Sequence, residues 1–161
     1  MRSGALRSNA QQVRHSWPVR LQVPSIAMDL RVVPVGVDAD GFLAMPDTTQ
    51  RAWWYRFGSR PGDRSGATVL AGHVDTFNQG LGPFSRLVAV PLNAKVVITD
   101  SAGHKINYVV KHRQRFAKKT TDFEQIFTRT GPPVLRLMTC APPYRTATGY
   151  QDLLIVTAVP Q

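Results

Sequence analysis

Apolar and polar residues alternate along much of this chain with the two-residue period of half-buried strands, and turn signals separate the alternating stretches. Residues 18–26, PVRLQVPSI, alternate in this way and predict a strand. Residues 29–37, DLRVVPVGV, are β-branched, end near a glycine and predict a second. DADG at 38–41 has turn chemistry, and FLAMP at 42–46 predicts a short strand stopped by Pro46. Residues 47–53 open with Asp and Thr and predict one short helix with Asp47 as its N-cap. RFGSRPGDRSG at 56–66 is a long loop, and the largely apolar ATVLAGHVD at 67–75 predicts a buried strand. Residues 76–87 predict a loop with one helical turn. KVVITD at 95–100 and KINYVVKHRQRF at 105–116 predict a hairpin across the turn SAGH. Thr121 and Asp122 predict a cap for a helix over DFEQIFT, residues 122–128. VLRLMTC at 134–140 predicts a strand, APPYRTATGYQ at 141–151 a loop and DLLIVTAV at 152–159 the closing strand. Seven or eight short strands with one or two brief helices predict a mostly β barrel or sandwich.

Composition narrows this picture. The 161 residues are enough for one domain, and a hydrophobic fraction of 43% supplies a core. Twelve Pro and 12 Gly, spread along the chain, argue against long helices. A single Cys excludes an intramolecular disulfide framework and a Cys-rich metal site. No run of 18 apolar residues exists, and the polar, basic opening MRSGALRSNAQQVRHS lacks the apolar stretch of a signal peptide. Residues 1–17 are therefore expected to be a disordered leader, with the folded domain at 18–161.

Twenty Lys and Arg against 10 Asp and Glu give a net charge of +10, which invites a polyanionic partner. Lys111, Arg113, Arg115, Lys118 and Lys119 cluster within nine residues, either as a solvated strand edge or as a polyanion contact. Nucleic acid is not an expected partner, because no helix-turn-helix, zinc-finger or RNP-like pattern is present. Trp53, Trp54, Tyr55 and Phe57 read as core and turn lining rather than as a base-stacking platform.

Two reactive side chains close buried strands: His73 ends VLAGH and Cys140 ends VLRLMTC. A thiol and an imidazole brought together make an activated nucleophile, with the imidazole protonating the leaving group. Arg145, five residues beyond Cys140, is a candidate donor to an oxyanion, and backbone amides are another. Each residue also has an ordinary reading: a buried small hydrophobe, a hydrogen-bonded structural histidine, a solvated loop charge. Asp75, two residues after His73, has the position to hold a ring nitrogen, although strand-end polarity explains it equally well. His15, His73, His104 and His112 show no metal-ligand spacing and no acidic calcium loop is present, so neither a metal nor a cofactor is expected. No GxGxxG, P-loop or GxSxG context appears.

Leu70-Ala71-Gly72-His73 and Leu137-Met138-Thr139-Cys140 resemble the two signature strand ends of the sortases, cysteine transpeptidases of the Gram-positive cell surface. Further segments resemble the actinobacterial group called class F. They are VPSIAMDLRVVPVGVDADG, Trp54-Tyr55 followed by Arg60-Pro61-Gly62, AGHVD, FSRL, LRLMTC, and TGY before the last strand. The resemblance runs over roughly residues 18–159 and rests on the order and separation of these segments. It implies an eight-stranded β-barrel with Cys140 as nucleophile and His73 as general acid and base. It implies cleavage of an LPxTG-like sorting signal between Thr and Gly, through a thioacyl enzyme. The acyl group then passes to the amine of a cell-wall precursor or a pilin Lys. It also implies a monomer working at the extracellular face of the membrane, with residues 1–17 the stub of a removed N-terminal anchor.

One position departs from the pattern. Where many sortases carry an arginine at the start of the last strand, this chain has Asp152, preceded by Gln151. The arginine's role is expected to pass to Arg145, with Arg136 and Thr139 lining the substrate groove. The alternatives are a non-catalytic basic β-barrel that binds cell-surface polyanions, and a hydrolase that gives the same thioester to water.

Overall fold

The structure, a computed structural model, describes residues 16–161. The expected leader lies outside the described residues except for Ser16 and Trp17. Ten strands form: β1 Pro18–Val23, β2 Met28–Val35, β3 Arg51–Tyr55, β4 Ala67–Ala71, β5 Asp75–Thr76, β6 Gly80–Leu81, β7 Lys95–Asp100, β8 Lys105–Ala117, β9 Val134–Arg145 and β10 Gly149–Pro160. Eight of them close a barrel in the order β1-β2-β3-β4-β9-β10-β8-β7, sealed by the antiparallel pairing of β7 with β1. β5 and β6 form a separate two-stranded ribbon. Closure leaves the barrel without a bare sheet edge.

The alternation read from the sequence fills the barrel. Leu21 and Val23 of β1, Leu30 and Val32 of β2, and Val96 and Ile98 of β7 all enter one interior cluster. Their polar neighbours, such as Arg20, Asp29 and Arg31, face solvent. A second cluster lies outside the barrel wall, where Val69, Ala71, Met138, Leu153 and Ile155 are covered by Ile126 and packed against Phe116 and Phe127. β4 and the middle of β10 are thus buried on both faces, which explains the unbroken apolar runs TVLA and LLIV.

Several local expectations give way to longer-range pairing. Residues 47–53 form no helix capped by Asp47; Arg51–Tyr55 is strand β3, parallel to β2 and antiparallel to β4. Trp53 and Trp54 are both buried, which requires apolar cover on both faces of the segment, and a sheet supplies it. FLAMP makes only an isolated bridge between Val37 and Leu43. The strand expected at 67–75 breaks after Ala71, and the helical turn near 83 is a 3-10 segment, Pro83–Ala89. The helix expected over 122–128 shrinks to α1, Phe123–Ile126, with Asp122 accepting from the Gln125 N–H at its start. The segment 141–151 is not a loop: β9 runs on to Arg145 and β10 begins at Gly149, so a tight hairpin joins them.

One contact ties two sequence motifs together. A Cβ built at Gly72 would lie 2.2 Å from the ring of Phe84, which is fully buried. The glycine of Ala-Gly-His therefore makes room for the phenylalanine of Phe-Ser-Arg-Leu. Gly72→Ala is expected to lower stability by about 1–3 kcal/mol through overpacking. Thermal denaturation checks this, and Gly72→Ala combined with Phe84→Leu should recover part of the loss.

Candidate active site

The site begins with a register. β4 and β9 are parallel neighbours, with Ala67 opposite Val134 and Ala71 opposite Met138. The pairing extends one step further: the Gly72 N–H donates to the Met138 carbonyl at 3.1 Å. The Thr139 hydroxyl, buried at 4% exposure, donates to the Gly72 carbonyl at 2.8 Å. Two residues beyond the Ala71–Met138 pair come His73, just past the end of β4, and Cys140 within β9. Parallel strands lie about 4.8 Å apart, and the register continued past the end of β4 would bring the two residues to one row. Ala67, Val69 and Ala71 share the outer cluster with Met138, against which Cys140 packs, and alternation continued to residue 73 would give His73 that face too.

Cys140 is half-buried and is a free thiol. The His73 Nε2 lies 3.0 Å from the Pro46 carbonyl. A carbonyl only accepts, so Nε2 carries the proton and Nδ1 is left as the basic atom. Thr139, expected to line the groove, instead turns its hydroxyl to the Gly72 carbonyl and ties the chain after β4 to β9, one residue before His73 and Cys140.

The same face of β9 and β10 carries a cavity at its far end. Arg136, Met138 and Cys140 of β9 stand opposite Thr157, Ile155 and Leu153 of β10. At the Arg136–Thr157 end a cavity of about 280 Å³ is lined by Phe116, Ile126, Arg136, Ile155 and Thr157 among others. From that row to Cys140 is four residues of strand, roughly 13 Å. Arg136 Nη1 donates to the carbonyls of Gln125 and Ile126 at 2.8 and 2.5 Å, so it ties α1 down as the groove wall. Burial pushes its pKa below the ordinary arginine value. Among the described residues it has no carboxylate partner.

The other polar residues distribute as follows. Arg145 pairs with Gly149 at the exposed end of the β9–β10 hairpin. Asp152 forms an ion pair with Arg115 of β8, Nη2 to Oδ2 at 3.2 Å, and the same nitrogen donates to the Pro142 carbonyl. Asp75 does not hold His73; it accepts from the Tyr150 hydroxyl at 2.6 Å. That bond, followed by burial, raises the Tyr150 pKa to about 12, and the nearby Cys140 adds to the shift. The phenol therefore stays protonated through the neutral range. Tyr150, Arg115 and the Pro46 carbonyl were missed at the level of sequence, because each partner lies at least 27 positions away. Among the described residues no group of three His, Cys, Asp or Glu side chains is placed to hold a metal ion.

The family model described as a sortase domain matches residues 21–161. The chain belongs to the sortase family. Solved sortases share the fold at low identity. Sortase A from Corynebacterium diphtheriae superposes with a TM-score of 0.66 at 20% identity, covering 90% of this chain and 60% of its own. Sortase C1 of Streptococcus agalactiae gives a TM-score of 0.67 at 21% identity, covering 88% of this chain and 66% of its own. Sortase C-1 from Actinomyces oris gives 0.66 at 23% identity, covering 89% and 72%. This sortase domain thus spans less than two thirds of the first two structures. Comparison with curated proteins finds no match.

Thr139 offers a test of the register that carries the site. Thr139→Val leaves the buried Gly72 carbonyl without its donor and should cost about 1–3 kcal/mol, whereas Thr139→Ser should stay near wild type. Urea denaturation of the two variants separates these outcomes.

Proposed function

We propose that this sortase-family chain is a cysteine transpeptidase, and that Cys140 and His73 are its nucleophile and general acid and base. The observation that carries the proposal is the parallel register of β4 and β9, which ends two residues before both His73 and Cys140 and is carried one step on by the Gly72–Met138 bond. The Cys140 thiol passes its proton to His73 as the sulfur attacks the Thr carbonyl of an LPxTG-like signal, and a tetrahedral oxyanion forms. Its collapse breaks the Thr–Gly bond, and His73 delivers a proton to the departing Gly amine. An incoming amine, from a cell-wall precursor or a pilin Lys, then attacks the thioester. His73 takes a proton from that amine, and the Cys140 thiol is released.

Geometry supports a peptide of this kind. The distance from the cavity to Cys140 is about the length of four extended residues, so a side chain at the start of the signal enters the cavity while the Thr carbonyl reaches the sulfur. Arg145 is proposed as oxyanion donor: Arg136 is committed to α1 and Arg115 to Asp152, while Arg145 has no carboxylate partner among the described residues. Its place at the hairpin end requires the hairpin to lean over the cleft. Arg136 is proposed to shape the groove wall and contact the signal. The class F assignment is proposed on the ordered motifs, of which Gly72 with Phe84 is one packing unit. Anchored surface proteins as substrates, a monomeric state and work at the outer face of the membrane complete the reading. The +10 charge suits a neighbourhood of anionic lipid and wall polymer.

Turnover of a fluorogenic LPxTG peptide tests the assignments. Cys140→Ala should abolish it with folding intact, and full activity in that variant would overturn the enzyme reading. His73→Ala should cost about 10²–10⁴-fold, the usual worth of general acid catalysis. Arg145→Ala should reduce kcat more than Arg136→Ala; the reverse order reassigns the donor. With an added amine, ligated product must accumulate, since cleavage alone would indicate a hydrolase.

A further inference from the structure

The β9–β10 hairpin is joined to the segment that carries His73 by a side-chain bond between residues far apart in sequence. β10 starts at Gly149, and Tyr150 stands opposite Tyr144 on β9. Between that pair and the next, Asp152 with Ala141, β10 advances two residues and β9 three. The ladder therefore carries an extra residue at Pro142 and Pro143, and such a bulge re-aims the side chains beyond it. The Tyr150 hydroxyl reaches Asp75 Oδ2 at 2.6 Å, a short charge-assisted bond. Asp75 opens β5, two residues after His73. The Tyr144 ring backs Tyr150 edge-on, with centroids 5.0 Å apart.

We infer that Tyr150 and Asp75 form a latch that holds the hairpin beyond Cys140 against the loop beyond His73, and so sets the spacing of thiol and imidazole. Both are positioning residues. The inference rests on the transpeptidase reading for its effect on rate, but the latch itself is a property of the fold. Three observations support it. The bond joins the two chain segments that leave the active row, one just after His73 and one ten residues after Cys140. Arg115 braces the hairpin lower down, at Pro142 and Asp152, while Arg145, Thr146, Ala147 and Thr148 at its tip are exposed. The Tyr144 ring, edge-on at 5.0 Å, also supports the Tyr150 side of the bond. The His73 side chain itself is held by the Pro46 carbonyl, on a third segment.

Four variants test this in the intact chain: Tyr150→Phe, Asp75→Ala, Asp75→Asn and the double variant Tyr150→Phe with Asp75→Ala. Two readouts are used. The first is the rate of Cys140 alkylation by iodoacetamide, which needs no substrate. Tyr150→Phe and Asp75→Ala should each raise it several-fold, and the double variant should raise it no further. Asp75→Asn, whose amide oxygen still accepts the phenol, should remain near wild type. The second readout is peptide turnover, where the same variants should lose about tenfold in kcat with KM little changed, since misplacement of catalytic groups acts on the chemical step. Additive effects of the two substitutions, or wild-type alkylation in both single variants, would overturn the latch. A wild-type protein that turns over no peptide would overturn the transpeptidase reading, and alkylation would still decide the latch.

Discussion

The parallel pairing of β4 with β9 is the constraint on which the rest of the molecule depends. Parallel strands need a long crossover, and here the chain spends residues 72–133 on it: the ribbon, the 3-10 segment, β7, β8 and α1. In return, both strands point the same way and end at the same rim of the barrel. The end of β4 is thereby set beside Met138, two residues short of Cys140. Val69, Ala71 and Met138 are buried outside the wall, and Leu70, Leu135 and Leu137 inside it. A strand packed on two faces cannot slip by one residue without exposing one set and burying polar groups in the other. The Thr139–Gly72 bond fixes the final step of this register directly behind the reactive pair.

Burial on both sides makes β4, β9 and β10 the platform on which the rest of the candidate site is mounted. α1 and the β9–β10 hairpin project from the platform, and each is held by a few polar contacts. Arg136 grips the end of α1 through two carbonyls, and Tyr150 grips the hairpin through Asp75. The basic cluster of β8 divides in a similar way. Lys111 donates to Asn93, Arg113 to the Val90 carbonyl and Arg115 to Asp152 and Pro142, so three of the five cations brace the barrel. Asp152 shows the same economy: where an arginine was expected, a carboxylate draws in a guanidinium from the neighbouring strand.

What could be read from the sequence was local. β1, β2, β7 and β8 follow from alternation, since one face of each meets the core and the other meets water. His73 and Cys140 stood out because polar, reactive groups closed apolar runs. The misreadings are places where distant partners decide. Arg51–Tyr55 is a strand because β2 and β4 flank it, and no cap at Asp47 competes with burying two tryptophans. APPYR looks like a loop because of its paired prolines, yet β10 supplies a ladder with a bulge to absorb them. The Pro46–His73 and Asp75–Tyr150 bonds leave no periodic trace, because they join segments whose meeting is set by barrel closure.

The central claim is that the thiol of Cys140 and the imidazole of His73 face one another across adjacent strand ends. Treatment with 1,3-dibromoacetone, whose two reactive carbons bridge a thiol to a neighbouring imidazole, followed by peptide mass spectrometry, tests it most directly. The account predicts a cross-link joining the peptide that contains Cys140 to the peptide that contains His73. Modification of Cys140 with no bridge, or a bridge to His104 or His112 instead, would contradict it.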